Sequence, residues 1–551
     1  MPLLTRRRRY LFGLCAWIVL FGMQTLLSAC EVPFSSPRQQ TLTNPHPNNT
    51  PVTNSQTVIP DFPVVDPDYI YNSLFYLATH FQKREAGYLR PAGTPDGHAG
   101  FANYWAQEMT HNLQGFGPQT SLDNFKTVGW LNRPSDANST NVAVTIPGAT
   151  QPQQTVVIGC HYDGEASSTQ SANDDASGCA IELGVAKALG NYWRTHNLFP
   201  ARTLRFVIFD AEEQGLFGSF HYVNQTVNGD LNSIVAMFNE EQNGIAYPLR
   251  YLGQTSNPQL PFNIDISPTQ SNTIYPQQNG ISNVQKSNIN SFNALMQQAV
   301  PAVFTQFQKM GDGSLTYQNA KNQPVSQPIF GTDQLGMIHQ QPDREGGSDQ
   351  IPFTMAGIPS ATFVGNASYY NGPTSPPWSY PFDQPQDTIQ MMNTFASGYA
   401  DKAKALTLSL ALPGMLTTWM LHQPQILGEV TTPTHPFGSI NMLGLAQTGQ
   451  NLSFNAQAFE PNTKTSSGFS YNWDFGDGSQ ANTQKATHTY QQAGTYNIVL
   501  TITSSKGSEK IKQSLLISTQ PKQVANPYAK YTQDGLPPSN PYVKLPVPKT
   551  R

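Results

Sequence analysis

Thr155-Val156-Val157-Ile158-Gly159-Cys160-His161-Tyr162-Asp163 is a β-branched, apolar run that ends in an imidazole and a carboxylate. Two later runs have the same form. Leu204-Arg205-Phe206-Val207-Ile208-Phe209 ends on Asp210-Ala211-Glu212-Glu213, and Ile234-Val235-Ala236-Met237-Phe238 ends on Asn239-Glu240-Glu241. Short, largely apolar strands alternating with helical segments are the pattern of strands covered on both faces. They predict an α/β fold with a central, mostly parallel sheet flanked by helices. A further strand, Ala361-Thr362-Phe363-Val364, follows Gly357-Ile358-Pro359, and helical spacing from about Thr388 to Leu412 closes the domain.

Ligands of open α/β sheets collect at the carboxyl ends of strands, where these runs place His161, Glu212, Glu213, Glu240 and Glu241. Ala172-Asn173-Asp174-Asp175-Ala176-Ser177-Gly178 adds an acidic turn that opens a helix. So many carboxylates around one imidazole repel one another unless cations are present, which points to a metal cluster. A solvated acidic face explains one acidic pair but not four converging segments. A metal-free carboxylate pair leaves His161 unexplained.

Outward from this centre, Ile70, Leu74, Leu77, Ala78 and Phe81 fall at helical spacing and open the folded part near Asp68. A second helix is expected from about Gly97 to Leu113. Residues 245–347 are rich in Gln, Asn and Pro, with one helix over Ser291 to Gln308, and read as an insertion in a domain spanning 68–424. Residues 31–67 carry Pro, Asn, Thr and Ser with little apolar periodicity and read as a disordered tether.

Arg6 to Arg9, an apolar stretch from Tyr10 to Leu27 and Leu27-Ser28-Ala29-Cys30 resemble a bacterial lipoprotein signal peptide over residues 1–30. The resemblance implies lipidation at Cys30, export, and anchoring to a membrane at the cell surface or in the periplasm. A length of 551 residues argues for at least two folded units, and 12% charged residues suit an exported surface. With a net charge of −4 and no basic stripe, a nucleic-acid partner is excluded. Of four cysteines, Cys15 leaves with the signal and Cys30 takes lipid. Cys160 and Cys179 are expected as buried free thiols in preference to a bridge, although export permits one.

Beyond Pro424 the pattern changes to short alternating strands. Trp473-Asp474-Phe475-Gly476-Asp477-Gly478, His488-Thr489-Tyr490 and Ala493-Gly494-Thr495-Tyr496 resemble the polycystic-kidney-disease (PKD) domain, an all-β, immunoglobulin-like sandwich, over 425–519. Trp473 and Phe475 would then be inward neighbours. Gly476-Asp477-Gly478 would be a turn needing positive φ, a role preferred to calcium binding for its aspartates. The resemblance implies a polysaccharide or protein ligand for this module, or a spacer. Residues 520–551 form a Pro-rich tail expected to lack structure.

Taken in order, His161-Tyr162-Asp163, Asn173-Asp174-Asp175-Ala176-Ser177-Gly178, Ala211-Glu212-Glu213-Gln214-Gly215-Leu216-Phe217-Gly218-Ser219, Asn239-Glu240-Glu241 and Ser348-Asp349-Gln350-Ile351-Pro352-Phe353 resemble the di-zinc aminopeptidases of metallopeptidase family twenty-eight. This likeness implies the zinc-exopeptidase fold, peptide substrates and two divalent ions, zinc foremost. It makes His161 and Glu241 ligands of one ion, Glu213 a ligand of the other, and Asp174 the carboxylate that bridges both. Glu212 becomes the general base toward a metal-bridging water, and Asp163 the holder of the His161 ring. It also implies a cis peptide after Asp174. Where the family carries a His in Tyr-His-Thr-Pro-x-Asp-Thr, this chain has Phe382-Asp383-Gln384-Pro385-Gln386-Asp387-Thr388. Either Asp383 ligates, giving an all-oxygen second site open to other ions, or that site is lost and Asp383 is a turn residue. Two alternatives stand beside the aminopeptidase: a glutaminyl-cyclase-like acyltransferase with one zinc, and a degenerate binding protein.

Overall fold

The computed structural model describes residues 62–86, 97–127, 138–226, 231–245, 262–310, 314–318, 321, 323–328, 335–336, 338–344, 347–365, 380–395, 402–461, 463–520 and 524–525. The signal segment, Cys30 and most of the expected tether and tail lie outside them.

Helix α1 (Pro67–His80) starts where Asp66 Oδ1 accepts the Tyr69 N–H and Pro67 needs no donor, and it buries Ile70, Leu74, Leu77 and Ala78. Helix α2 (Gly97–Asn112) buries Phe101, Trp105 and Met109 on one stripe. Strands β1 (Gln119–Lys126), β2 (Asn138–Ile146) and β3 (Gln151–His161) precede helix α3 (Ala176–His196). Short β4 (Leu198–Pro200) and β5 (Arg202–Phe209) lead to α4 (Phe217–His221), β6 (Ile234–Glu241), β7 (Phe262–Ile266) and α5 (Asn283–Met310). A hairpin, β8 (Ser314–Gln318) and β9 (Pro324–Pro328), precedes β10 (Ile338–Pro342), α6 (Gln350–Met355) and β11 (Ser360–Gly365). Helices α7 (Ile389–Phe395) and α8 (Lys402–His422) complete the domain, the last running ten residues beyond the expected Leu412.

The eight-stranded sheet has the order β1-β2-β5-β3-β6-β11-β7-β10. β3 lies parallel to both β5 and β6, β6 to β11 and β7 to β10; the pairs β1/β2, β2/β5 and β7/β11 are antiparallel. Register aligns the strand ends, with His161 beside Phe209 and Gly159 beside Asn239. Alternation sends Val156 and Ile158 into the core under α1, α3 and α8, and Val157 to the opposite face with Phe209, Met237 and Phe353.

Three expectations need correction. Residues 245–347 are no insertion: β7 and β10 complete the sheet, and α5 buries Phe292, Met296, Val303 and Phe307 in the main core. The folded part also begins before Asp68, because Phe62 and Val65 of the expected tether are buried in that core. Cys160 and Cys179 are joined in a disulfide across a Cα separation of 5.4 Å, since β3 and the first turn of α3 lie side by side.

At the C-terminal end, β12 (Glu429–Thr431) pairs with β4 of the larger domain. β13 (Phe437–Leu443), β14 (Asn451–Phe459) and β17 (Lys485–Thr489) form one sheet of a sandwich. β15 (Ser470–Asp474), β16 (Gln480–Ala481), β18 (Gly494–Ser504) and β19 (Gly507–Ile517) form the other. Trp473 and Phe475 are buried neighbours, and Gly476 and Gly478 take φ of +81° and +92°. The aspartates serve the turn: Asp474 Oδ1 accepts the Gly476 N–H and Asp477 Oδ1 the Ser479 N–H. The module is seated on the larger domain. Phe437 and Phe459 pack against Phe199, and Gln457 Nε2 donates to Gly117 O and Thr145 O at 2.8 Å each. Within the expected tail, Val524 exchanges two hydrogen bonds with the Asn224 side chain.

Candidate metal centre

β3 delivers His161 to the sheet edge, and the α3 N-terminus delivers Asp174 against it, with Asp174 Oδ1 3.0 Å from His161 Nε2. The last residue of β6, Glu241, places Oε2 3.7 Å from the same nitrogen. Ligand atoms of His161, Asp174 and Glu241 all lie within 4.8 Å of one another, and so do those of Asp174, Glu213 and Asp383. The five predicted ligand positions therefore converge, with Asp174 shared by both triplets, and Glu212 is close enough to feel the charges of His161, Glu241 and Asp174. The Asp174–Asp175 peptide is cis. Glu240 does not join them. Strand alternation turns it to the far side of β6, where it accepts from Thr417 Oγ1 at 2.8 Å and Asn243 Nδ2 at 3.2 Å.

Several of these carboxylates are held by neighbours. Asp163 accepts the backbone N–H groups of Glu212 and Glu213 at 3.1 and 3.3 Å, fixing the turn that carries both. Its Oδ1 lies 3.5 Å from His161 Nδ1, an ion-pair separation longer than a good hydrogen bond. Ser348 Oγ donates to Glu241 Oε2 at 2.6 Å and is held by Asn239 Nδ2. Asp387 accepts the N–H groups of Asn173 and Asp174 and the Tyr380 hydroxyl. Gln242 Nε2 donates to Asp174 Oδ2 at 3.0 Å. Asp383 takes a left-handed φ of 60°, and its main-chain oxygen accepts from Ser167 Oγ.

The sequence offered no separate role for Asp387, Asp349 or Gln242, although Asp387 stands in the quoted Asp383 string and Asp349 in the Ser348 string. Asp349 is fully buried, with the His161 charge and the Ser219 hydroxyl favouring its carboxylate against that burial.

Electrostatics explain what the cluster requires. Burial raises Glu212 well above the usual carboxylate range; His161 opposes the shift, while Glu241, Asp349 and Asp174 add to it. Burial, then Asp383 and Asp174, raises Glu213, and burial, then Asp174 and Glu165, raises Asp383. Glu241 is raised by burial to about 7 against the pull of His161. Burial alone would lower His161, yet Glu212, Asp163, Asp174 and Glu241 hold it well above the ordinary imidazole value. Without metal the site keeps protons, and divalent cations can replace them. The donor set fits such ions: one imidazole and two carboxylates on one side, three carboxylates on the other. Asp383 Oδ1 is buried with no hydrogen-bond partner among the described residues.

Two parts of the chain match known protein families. Residues 141–309 match the family described as Peptidase family M28, and residues 439–518 match the PKD domain. A "Probable zinc metalloprotease" of Pyrenophora teres f. teres is 32% identical over 114 residues, covering 19% of this chain and 23% of that protein. "Aminopeptidase NAALADL1" of Rattus norvegicus is 35% identical over 98 residues, covering 18% of this chain and 13% of the other. The chain thus spans less than a quarter of the length of these curated relatives. The solved structure of BSAP, a zinc aminopeptidase from Bacillus subtilis, aligns with a TM-score of 0.41 at 14% identity over 66% of this chain and 96% of that one. The segment that carries His161, Asp174, Glu212, Glu213 and Glu241 thus matches Peptidase family M28, Asp383 lies beyond the matched residues, and a PKD domain follows at 439–518.

Proposed function

We propose that this chain is a metallo-aminopeptidase that removes N-terminal residues from peptides with two divalent ions, zinc foremost. The observation that carries the proposal is the pair of ligand triplets sharing Asp174, with Glu212 beside them. His161, Asp174 and Glu241 would hold one ion, and Asp174, Glu213 and Asp383 the other. Bound there, the ions supply Lewis acidity that polarises the scissile carbonyl and acidifies water.

The chain's own groups do the rest. Glu212 takes a proton from the attacking water and passes it to the leaving amine, a role suited to a carboxyl whose pKa lies above the ordinary range. Asp163 fixes the Glu212–Glu213 turn through their N–H groups, Ser348 orients Glu241, and Asp387 orients Asp174. The protein is exported and anchored to a bacterial membrane through lipid on Cys30, a reading supported by Arg6–Arg9, the apolar stretch and Leu27-Ser28-Ala29-Cys30. The PKD domain binds a polysaccharide or protein near the substrate.

Elemental analysis of the purified protein, with turnover of amino-acid anilides, N-acetylated anilides and peptides with N-terminal glutamine, tests the proposal. Two metal equivalents and cleavage of free-amine anilides alone are expected. Cyclisation of N-terminal glutamine without anilide cleavage would replace the peptidase by the acyltransferase. Radiolabelled palmitate incorporated by the wild type and not by Cys30→Ser tests the anchor.

A further inference from the structure

Two arginines are buried among the described residues. Arg205 faces the PKD module, donating to Tyr222 Oη, Thr145 Oγ1 and Asn441 Oδ1. Arg84 lies between α1 and α2, is 1% exposed, and has its guanidinium 4.7 Å from the centre of the Phe101 ring. Its three nitrogens reach four carbonyls. Nε donates to Tyr162 O at 2.7 Å, Nη2 to Ser171 O at 2.9 Å, and Nη1 to Gln170 O at 2.6 Å and Phe81 O at 3.2 Å.

Those acceptors are not scattered. Tyr162 directly follows His161, and Gln170 and Ser171 close the loop that leads into Asn173 and Asp174. The backbone on either side of the guanidinium grips the same loop, with Gly164 N–H donating to Arg84 O and Lys83 N–H to Thr169 O. Arg84 thereby spans the loop between the first ligand and the shared carboxylate at both ends. Its charge, kept although burial lowers its pKa to about 10, also faces Asp387, Asp163, Asp175 and Asp174.

We propose that Arg84 is a positioning residue of the metal centre, holding the loop from Tyr162 to Ser171 so that His161 and Asp174 already face each other before metal arrives. This rests on the metal-centre reading above. Guanidinium geometry is required, because one ammonium cannot serve four carbonyls that lie in three directions. Residues that orient ligands in this way are worth about 10–100-fold in metal affinity.

Zinc affinity, measured by competition with a chromophoric chelator, is compared for the wild type, Arg84→Lys, Arg84→Gln and Arg205→Lys, each shown folded by circular dichroism. Both Arg84 variants should bind the first zinc at least tenfold more weakly, and Arg205→Lys within about twofold of the wild type. Arg84→Lys binding like the wild type overturns the proposal, and so does an equal loss in Arg205→Lys, which would mean general destabilisation. Should the Arg84 variants not fold, hydrogen exchange in the wild type decides. The Gly164, Ser168 and Ser171 amides should be protected without metal to within about tenfold of their protection with zinc. Free exchange in the metal-free protein overturns the proposal. A wild type that takes up no divalent ion instead overturns the metal-centre reading, and the two failures are thus told apart.

Discussion

Removing metal from this centre should make stability depend on pH in an unusual direction. Carboxyls with folded-state pKa values above their unfolded ones stabilise the fold while protonated. Their contribution is complete below the unfolded value and is lost as pH rises through the folded one. Glu241, Asp349 and Asp387 are each raised, by burial first, to about 7. His161, also raised, acts with the same sign, since its protonated form is favoured by folding. For Glu241 alone, moving from 4.5 to about 7, the loss between pH 5 and pH 8 is about 2–3 kcal/mol. Neighbouring groups share protons and do not add in full, so the cluster as a whole should lose about as much. Divalent ions displace those protons, so the metal-loaded protein should escape the penalty. Denaturant unfolding of stripped and zinc-loaded protein at both pH values measures this. The gap between the two forms should widen by about 2–3 kcal/mol from pH 5 to pH 8, or roughly 2 °C in Tm at this chain length. A gap that stays constant, or narrows as pH rises, would refute the assignment of these carboxyls to a cation site.

Glu212→Gln should retain fold and metal while turnover falls at least about a hundredfold, checked by metal analysis beside steady-state kinetics. Asp383→His should raise zinc retention at the second position during dialysis against chelator, whereas Asp383→Ala should leave one equivalent; one tightly held ion in all three proteins would falsify the two-metal assignment. Replacing Cys160 and Cys179 together by Ala opens a loop whose ends are 19 residues apart and should cost about 3 kcal/mol in denaturant unfolding. Cutting the chain after Thr432 keeps β12 on β4, removes the module seated on Phe199 and leaves Gly117 O and Thr145 O without the Gln457 amide. That truncation should aggregate or unfold at lower temperature by light scattering and calorimetry, whereas a module serving only as a spacer would leave the remainder as stable as before.

Legibility of the fold followed local chemistry. β3, β5, β6 and β11 were readable because each packs an apolar, β-branched run between two layers, and α1 and α2 because one stripe of each is buried. Residues 245–347 misled for a physical reason. The helix over Ser291 to Gln308 was legible, but the polar residues interleaved with Phe292, Met296, Val303, Phe304 and Phe307 concealed that it belongs to the main core. β7 and β10 are five residues each with polar inclusions, too short for alternation to stand out. The disulfide was undecidable from spacing, because what permits it is the lateral contact of β3 with α3.

The centre itself divides in the same way. Its proposed ligands sit at strand ends and in one helix-opening turn, so short motifs expose them, and alternation along β6 separates Glu241, which points into the site, from Glu240, which does not. The residues that hold those ligands come from elsewhere. Asp387 reaches Asp174 across 213 positions, Ser348 reaches Glu241 across 107, and Arg84 reaches Ser171 across 87. No local periodicity records such pairs, since each is a loop residue placed only when the sheet and its helices have assembled. Asp383 lies between the two classes. Sequence marks it as a departure from a His, and only its closure with Asp174 and Glu213 shows that the departure keeps a ligand-like atom in the site. An oxygen there in place of a nitrogen adds negative charge to a cluster already holding protons. The pH-dependent cost of emptying this site should therefore exceed that of a centre whose second ion is held by imidazole, and Asp383→His should reduce it.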